Sequence, residues 1–260
     1  MANANYPQGH FCWVELCSTD WKGGKSFYSD LLSWTAEDQP IGDGLFYTML
    51  QKQNLDIAAM YQMPADQQAQ GVPSYWLSYI AVDDIKAMTA KAKELGATIV
   101  HGPHEIPGAG EMVLLCDPAG AMIALWQGKG HKGSQRKDEE NTPCWFELAT
   151  RDPDACADFY CDLLGLQTED KPMDGMQYTL FKDQDQVVGG MLAMNEQWPD
   201  DIPSHWMVYF AVDDCDKRTE LAASLGGEVC VQPIDVPEVG RFSVITDPQG
   251  AVFSIIKLNN

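Results

Sequence analysis

Cys12-Trp13-Val14-Glu15-Leu16 returns later in the same chain as Cys144-Trp145-Phe146-Glu147-Leu148. Each stretch leads on to a Phe-Tyr pair, Phe27-Tyr28 and Phe159-Tyr160. The echo continues in Val72-Pro73-Ser74-Tyr75-Trp76 and Ile202-Pro203-Ser204-His205-Trp206. It closes with Asp117-Pro118-Ala119-Gly120-Ala121 and Asp247-Pro248-Gln249-Gly250-Ala251. A register held over so long a stretch marks two copies of one domain, because solenoid units usually repeat every 20–50 residues or so. We place the first repeat at residues 10–127, a linker at 128–141 and the second repeat at 142–258.

Hydrophobic periodicity and punctuation suggest how each copy is built. Phe11 to Cys17 is apolar and β-prone, and a helix follows from Trp21 to Ser33 with Asp20 as its N-cap. Strands are predicted at Leu45–Leu50 and Leu55–Met60, and Pro64 to Gly71 is a polar connection. The same order then recurs within the copy. Tyr75–Val82 is a strand, Asp83 or Asp84 caps a helix, and Gly96 ends that helix. Strands follow at Ala97–Val100, Glu111–Cys116 and Ala121–Trp126. The second copy has sharper signals: Asp152-Pro153 opens one helix, Asp213 or Asp214 caps the other, and Gly226 ends it. Each copy therefore reads as βαβββ–βαβββ.

The formal net charge of −21 repels phosphate backbones, so no nucleic-acid partner is expected. No apolar run approaches the roughly 20 residues of a membrane span, and Met1–His10 lacks a signal-peptide core. The chain reads as a soluble cytoplasmic protein with no membrane partner. Its eight cysteines form no CxxC pair, and only Cys12 and Cys144 match between copies, which favours reduced, packed thiols. The basic stretch Lys129–Lys137 lies between the copies and reads as a linker.

Tandem βαβββ units, with Phe-Tyr-x-Asp-Leu-Leu in the first helix and Asp-Pro-x-Gly before the last strand, resemble the vicinal oxygen chelate superfamily. That superfamily includes glyoxalase I, extradiol dioxygenases and the fosfomycin and bleomycin resistance proteins. The resemblance implies an α+β fold of two modules, each an eight-stranded cup-shaped sheet with helices outside and a ligand in the concavity. Catalytic members hold a divalent cation with His, Glu or Gln on the first, fourth, fifth and eighth strands. Carried over by spacing, those positions fall at Trp13, Ala59, Leu77 and Ala124, and at Trp145, Gly190, Met207 and Ser254. Indole and alkyl groups cannot coordinate, and a Met thioether or Ser hydroxyl is a poor ligand here. No catalytic metal and no cofactor are expected.

Strand alternation turns Glu15 and Cys17 to the same side as Trp13, and Glu147 to the same side as Trp145. The fifth strand adds Tyr75 and Tyr79 in the first copy, and His205, Met207 and Tyr209 in the second. A Glu in an apolar strand is costly unless it is hydrogen-bonded, and both copies carry one. One reading is a structural Glu–Tyr contact. The other is a general base, Glu15 or Glu147, with Tyr79 or Tyr209 as oxyanion donor. Trp13, Trp145, Cys17, Met60, Met191, Tyr75, His205 and Met207 are candidate ligand-lining residues, with Arg241 as an anion contact. His101 and His104 read as solvated loop residues.

Three functions follow in order. The first is a glyoxalase- or bleomycin-resistance-like protein binding a small cationic or aromatic molecule in one or both cups. The second is a metal-independent lyase, isomerase or hydrolase acting on a small carbonyl or epoxide-like substrate through Glu and Tyr. The third is a metal-dependent lactoylglutathione lyase or dioxygenase. A monomer or homodimer is expected, since a fused pair can replace the dimer that single-module relatives make.

Overall fold

The computed structural model describes residues 6–173 and 176–259. The first repeat runs β1 (Phe11–Ser18), α1 (Trp21–Leu32), β2 (Thr35–Gly42), β3 (Leu45–Lys52), β4 (Leu55–Gln62), α2 (Ala65–Ala69), β5 (Tyr75–Ala81), α3 (Ile85–Glu94), β6 (Thr98–Ile106), β7 (Gly110–Cys116) and β8 (Met122–Gly128). The second runs β9 (Pro143–Thr150), α4 (Pro153–Leu164), β10 (Gln167–Met173), β11 (Met176–Asp183), β12 (Gln186–Ala193), β13 (His205–Ala211), α5 (Cys215–Ser224), β14 (Glu228–Val236), β15 (Gly240–Thr246) and β16 (Val252–Leu258). Two eight-stranded sheets result, ordered β2-β3-β4-β1-β5-β8-β7-β6 and β10-β11-β12-β9-β13-β16-β15-β14. Both are mixed: β1 pairs with β4, and β5 with β8, in parallel, whereas the hairpins are antiparallel. No helix among the described residues is long and apolar enough to cross a membrane.

The caps work as their chemistry requires. Asp84 Oδ1 accepts from the Lys86 and Ala87 amides, Asp214 Oδ1 from Lys217, and Asp152 Oδ1 from Ala155. Asp20 occupies the N-cap position of α1 without a side-chain capping bond.

Three expectations are corrected. The βαβββ pattern requires the strands β2 and β10, yet the sequence does not place them, because Thr35–Gly42 and Gln167–Met173 are polar, each contains a proline, and neither alternates; β2 is exposed along its whole length. The polar connection after β4 contains the short helix α2. His101 and His104 lie within β6 rather than in a loop, where the ladder with β7 slips register on either side of His101. A cis Gly102–Pro103 bond lies between the two residues, whose rings are 4.5 Å apart.

By contact density the chain divides into two compact units. One comprises Met1–Trp13, Ser78–Gly133 and Trp145–Met207, and the other Val14–Leu77, Ser134–Cys144 and Val208–Asn260. Each unit thus mixes parts of both repeats. In the first unit, Phe11 stacks on Phe146 at 4.1 Å and meets Trp206 edge-on at 5.0 Å. In the second, Tyr28, Trp34, Trp76, Phe210 and Phe253 form a continuous aromatic core with centroids 5–6 Å apart.

The repeated motifs meet inside these units. Trp76 Nε1 donates to Tyr28 Oη at 2.8 Å, and Tyr28 Oη donates to Asp247 Oδ2 at 2.9 Å. Asp247 Oδ1 accepts from the Gln249 and Ala251 amides, both at 2.9 Å. The first unit repeats the arrangement: Trp206 to Tyr160 at 2.8 Å, Tyr160 to Asp117 at 2.9 Å, and Asp117 Oδ1 to Ala119 and Ala121. Tyr and Trp come from one repeat and Asp from the other, so Phe-Tyr, Pro-Ser-x-Trp and Asp-Pro-x-Gly together form a reciprocal lock between the repeats.

Burial raises the carboxyl pKa of Asp117 and Asp247 despite their hydrogen bonds. The native state therefore holds their protons more tightly than the unfolded chain. Between the ordinary carboxylate value and the raised one, the stability they contribute falls as pH rises and returns on acidification. Urea titrations of wild type and Asp247→Asn across that interval should show the difference moving in favour of wild type as pH falls. A difference that does not change with pH would contradict this.

Candidate functional site

The site begins on β1 and its counterpart β9. Leu16 packs under α1, where a Cβ on Gly24 would lie 3.4 Å from Leu16 Cδ2. Alternation then turns Glu15 to the opposite side of the strand. Parallel pairing sets Glu15 opposite Ala59 and Cys17 opposite Tyr61, with Leu16 opposite Met60. In the second repeat Glu147 faces Gly190 and Leu148 faces Met191. Met60 and Met191 therefore share the side of Leu16 and Leu148, away from the carboxylates. This corrects their expected place beside the Glu residues.

Glu15, only 7 % exposed, accepts from Tyr47 Oη at 2.9 Å. Tyr47 on β3 lies 6.5 Å, centroid to centroid, from Tyr61 on β4. The Tyr61 and Tyr75 hydroxyls lie close to Cys17 and to each other, and Cys17 Sγ donates to Gln67 Oε1 at 4.0 Å. Burial, reinforced by the nearby Glu15 charge, pushes the pKa of Cys17, Tyr61 and Tyr75 upward. These groups stay protonated near neutral pH, so Cys17 supplies a thiol rather than a nucleophilic thiolate. Glu15, Cys17 and Tyr75 therefore come together, joined by Tyr47 and Tyr61.

The second repeat is built on fewer polar groups. Tyr178 Oη donates to Glu147 Oε2 at 2.8 Å and accepts from Trp145 Nε1 at 3.0 Å. Burial and the Glu147 charge hold the Tyr178 pKa well up, so this hydroxyl is a fixed donor. Gly190 makes room for the arrangement: a Cβ there would come within 2.7 Å of Tyr178 Cζ and 2.9 Å of Trp145 Cζ2. Glu147 and Trp145 are half-buried, unlike Glu15 and Trp13.

Tyr47 and Tyr178 are functional candidates that the sequence reading missed. Their signal was present, since both sit in a Tyr-Thr pair of the third strand, Tyr47-Thr48 and Tyr178-Thr179. Tyr79 directs its hydroxyl to Met112 Sδ at 3.9 Å and its ring toward Trp126. Tyr209 pairs with Ser254 across the sheet and packs near Phe242, with centroids 5.9 Å apart. His205 Nδ1 lies 2.8 Å from the Pro203 carbonyl, and Met207 is half-buried on the same strand. Arg241 is a correction: Asp216 takes it in a two-pronged ion pair at 2.8 and 2.9 Å, and Asp235 lies at 3.1 Å. These carboxylates neutralise the guanidinium, so it does not serve as an anion contact.

Comparison with known proteins fits this architecture. The family model described as the Glyoxalase/Bleomycin resistance protein/Dioxygenase superfamily matches residues 10–125 and 144–255. The chain belongs to that superfamily. "Putative glyoxylase CFP32" of Mycobacterium tuberculosis is 40% identical over 256 residues, spanning 98% of this chain and 97% of the relative. "Anthracycline biosynthesis protein DnrV" of Streptomyces peucetius is 30% identical over 263 residues, spanning 97% of this chain and 94% of the relative. Among solved structures, a Mn(II)-bound glyoxalase from Novosphingobium aromaticivorans has a TM-score of 0.65 at 17% identity, covering 96% of this chain and 82% of that one. The 2,3-dioxygenase LapB of Pseudomonas sp. KL28 has a TM-score of 0.67 at 13% identity, covering 99% and 94%.

The residues of this superfamily member do not fit the divalent ion that its catalytic relatives hold. In each parallel strand pair, one oxygen-bearing side chain faces a residue that is no ligand or a poor one. Glu15 faces Ala59, Tyr79 faces Ala124, Glu147 faces Gly190, and Tyr209 faces Ser254. A divalent ion needs several N or O donors converging on one point. Among the described residues, no three His, Cys, Asp or Glu side chains converge in that way. Ser254 Oγ is buried without a hydrogen-bond partner.

Proposed function

We propose that this glyoxalase-superfamily protein binds a small planar organic molecule without a divalent ion, with the Trp145–Tyr178–Glu147 chain as its recognition element. The observation that carries this reading is the pair of bonds from Trp145 Nε1 to Tyr178 Oη and from Tyr178 Oη to Glu147 Oε2, packed against a glycine whose missing side chain admits both rings. The half-buried indole supplies a flat apolar surface, and the oriented carboxylate accepts from a ligand hydroxyl or protonated amine. The name of the Streptomyces peucetius relative supports a polycyclic aromatic ligand.

A hydroxylated anthraquinone, 1,8-dihydroxyanthraquinone, is a suitable probe. Tyr178→Phe should weaken its binding about tenfold, or about 1.4 kcal/mol, because Glu147 loses its orienting donor. Titration by tryptophan fluorescence measures this. Unchanged affinity in Tyr178→Phe and in Glu147→Gln would sink the reading. The same pair could act as base and oxyanion donor on a carbonyl substrate, so product formation from the bound probe or related carbonyl compounds would separate catalysis from binding. A methylglyoxal–glutathione assay should give no chelator-sensitive turnover, and turnover lost to chelator would restore metal chemistry.

A further inference from the structure

We propose that the segment joining the repeats closes the first repeat to ligands, so that each chain takes up one ligand, through Trp145 and Glu147 of the second repeat. This rests on the binding reading above. Trp13 and Trp145 hold matching places in the repeated Cys-Trp-x-Glu, yet Trp13 is 3 % exposed whereas Trp145 is half-buried.

The protein's own chain covers Trp13. The His131 ring stands edge-on to the Trp13 indole at 4.4 Å, with an interplanar angle of 84°. It also lies 6.0 Å from the Trp126 ring. An imidazole thus occupies the aromatic flank that a planar ligand would use.

The covering residues are anchored along their length. The His131 carbonyl accepts from Trp126 Nε1 at 3.0 Å, and its amide donates to the Ala109 carbonyl at 3.0 Å. The Lys129 amide reaches the same carbonyl at 2.8 Å. Gly133 comes next, with φ at +118°, and a Cβ there would lie 3.0 Å from Cys12 Cβ. Only glycine lets the backbone pass β1 at this distance and dihedral. Beyond it, Ser134 Oγ donates to the Ile57 carbonyl at 2.7 Å. The Gln135 amide and Oε1 bracket the Asp56 backbone, each at 2.7 Å. Residues 128–135, within the linker between the repeats, are therefore a fitted part of the fold.

Two measurements test this. Calorimetric titration of the full chain with 1,8-dihydroxyanthraquinone should give one equivalent per chain; two equivalents of similar affinity would overturn the proposal. Acrylamide quenching needs no ligand. Trp145→Phe should remove a quenchable component of the fluorescence, and Trp13→Phe should not. In a His131→Gly background, Trp13→Phe should now remove one, and His131→Ser serves if the glycine variant is unfolded by circular dichroism. Trp13 as quenchable as Trp145 in the wild type would overturn the closure. If the probe binds nowhere, the binding reading falls, and the quenching contrast still decides whether the segment closes the first repeat.

Discussion

Replacing Asp247 with alanine is expected to destabilise the protein by about 3–5 kcal/mol, since each buried polar group left unpaired costs about 1–3 kcal/mol. Three donors lose their acceptor: the amides of Gln249 and Ala251, and the hydroxyl of Tyr28. Neither the Tyr28 hydroxyl nor the Ala251 amide can turn to water, because Tyr28 and Ala251 are fully buried. For a chain of this size that corresponds to a drop in Tm of roughly 10 °C. Tyr28→Phe removes two bonds but leaves both amide bonds to Asp247, and should cost less, about 1–2 kcal/mol, with Trp76 Nε1 left without its acceptor. Urea denaturation and thermal scanning measure both. A loss below about 1 kcal/mol in Asp247→Ala would mean that the lock between the repeats is not what holds the second unit together.

Gly190→Val should weaken ligand binding at least tenfold while leaving the fold in place. The position lies on β12, where a β-branched residue suits the backbone, so valine meets no conformational penalty. Its side chain instead meets the Tyr178 ring and Trp145. Tyr178 must move, and Glu147 then loses the hydroxyl that orients it. We expect 1,8-dihydroxyanthraquinone affinity to fall at least tenfold, about 1.4 kcal/mol, with an unchanged far-ultraviolet circular dichroism spectrum. Gly190→Ala should show the same effect in weaker form. A valine variant that binds as wild type does would remove Tyr178 and Glu147 from the recognition element.

The repeat itself explains why much of this was readable. Two copies voting for one pattern exposed the strands, the helices and their caps, and Asp84, Asp152 and Asp214 cap as their chemistry predicts. The facing of Glu15 and Glu147 also followed, since alternation along a strand is a local property. Other features left weaker traces. β2 and β10 carry no apolar alternation, because they face solvent and are held by their ladders to β3 and β11. Met60 and Met191 were misplaced because their facing depends on the register between β1 and β4 and between β9 and β12. Arg241 looked available until α5 brought Asp216 to it.

Local chemistry written into residues close in the chain determined the duplication, the element order and the presence of one carboxylate in each copy. Three matters were decided only by tertiary structure: which tyrosine reaches each carboxylate, that the signature motifs of one repeat lock onto those of the other, and that His131 covers Trp13 whereas Trp145 stays partly open. The physical reason is separation along the chain. Tyr28 and Asp247 are 219 residues apart, and only the packed aromatic cores that surround such pairs bring them within hydrogen-bonding distance.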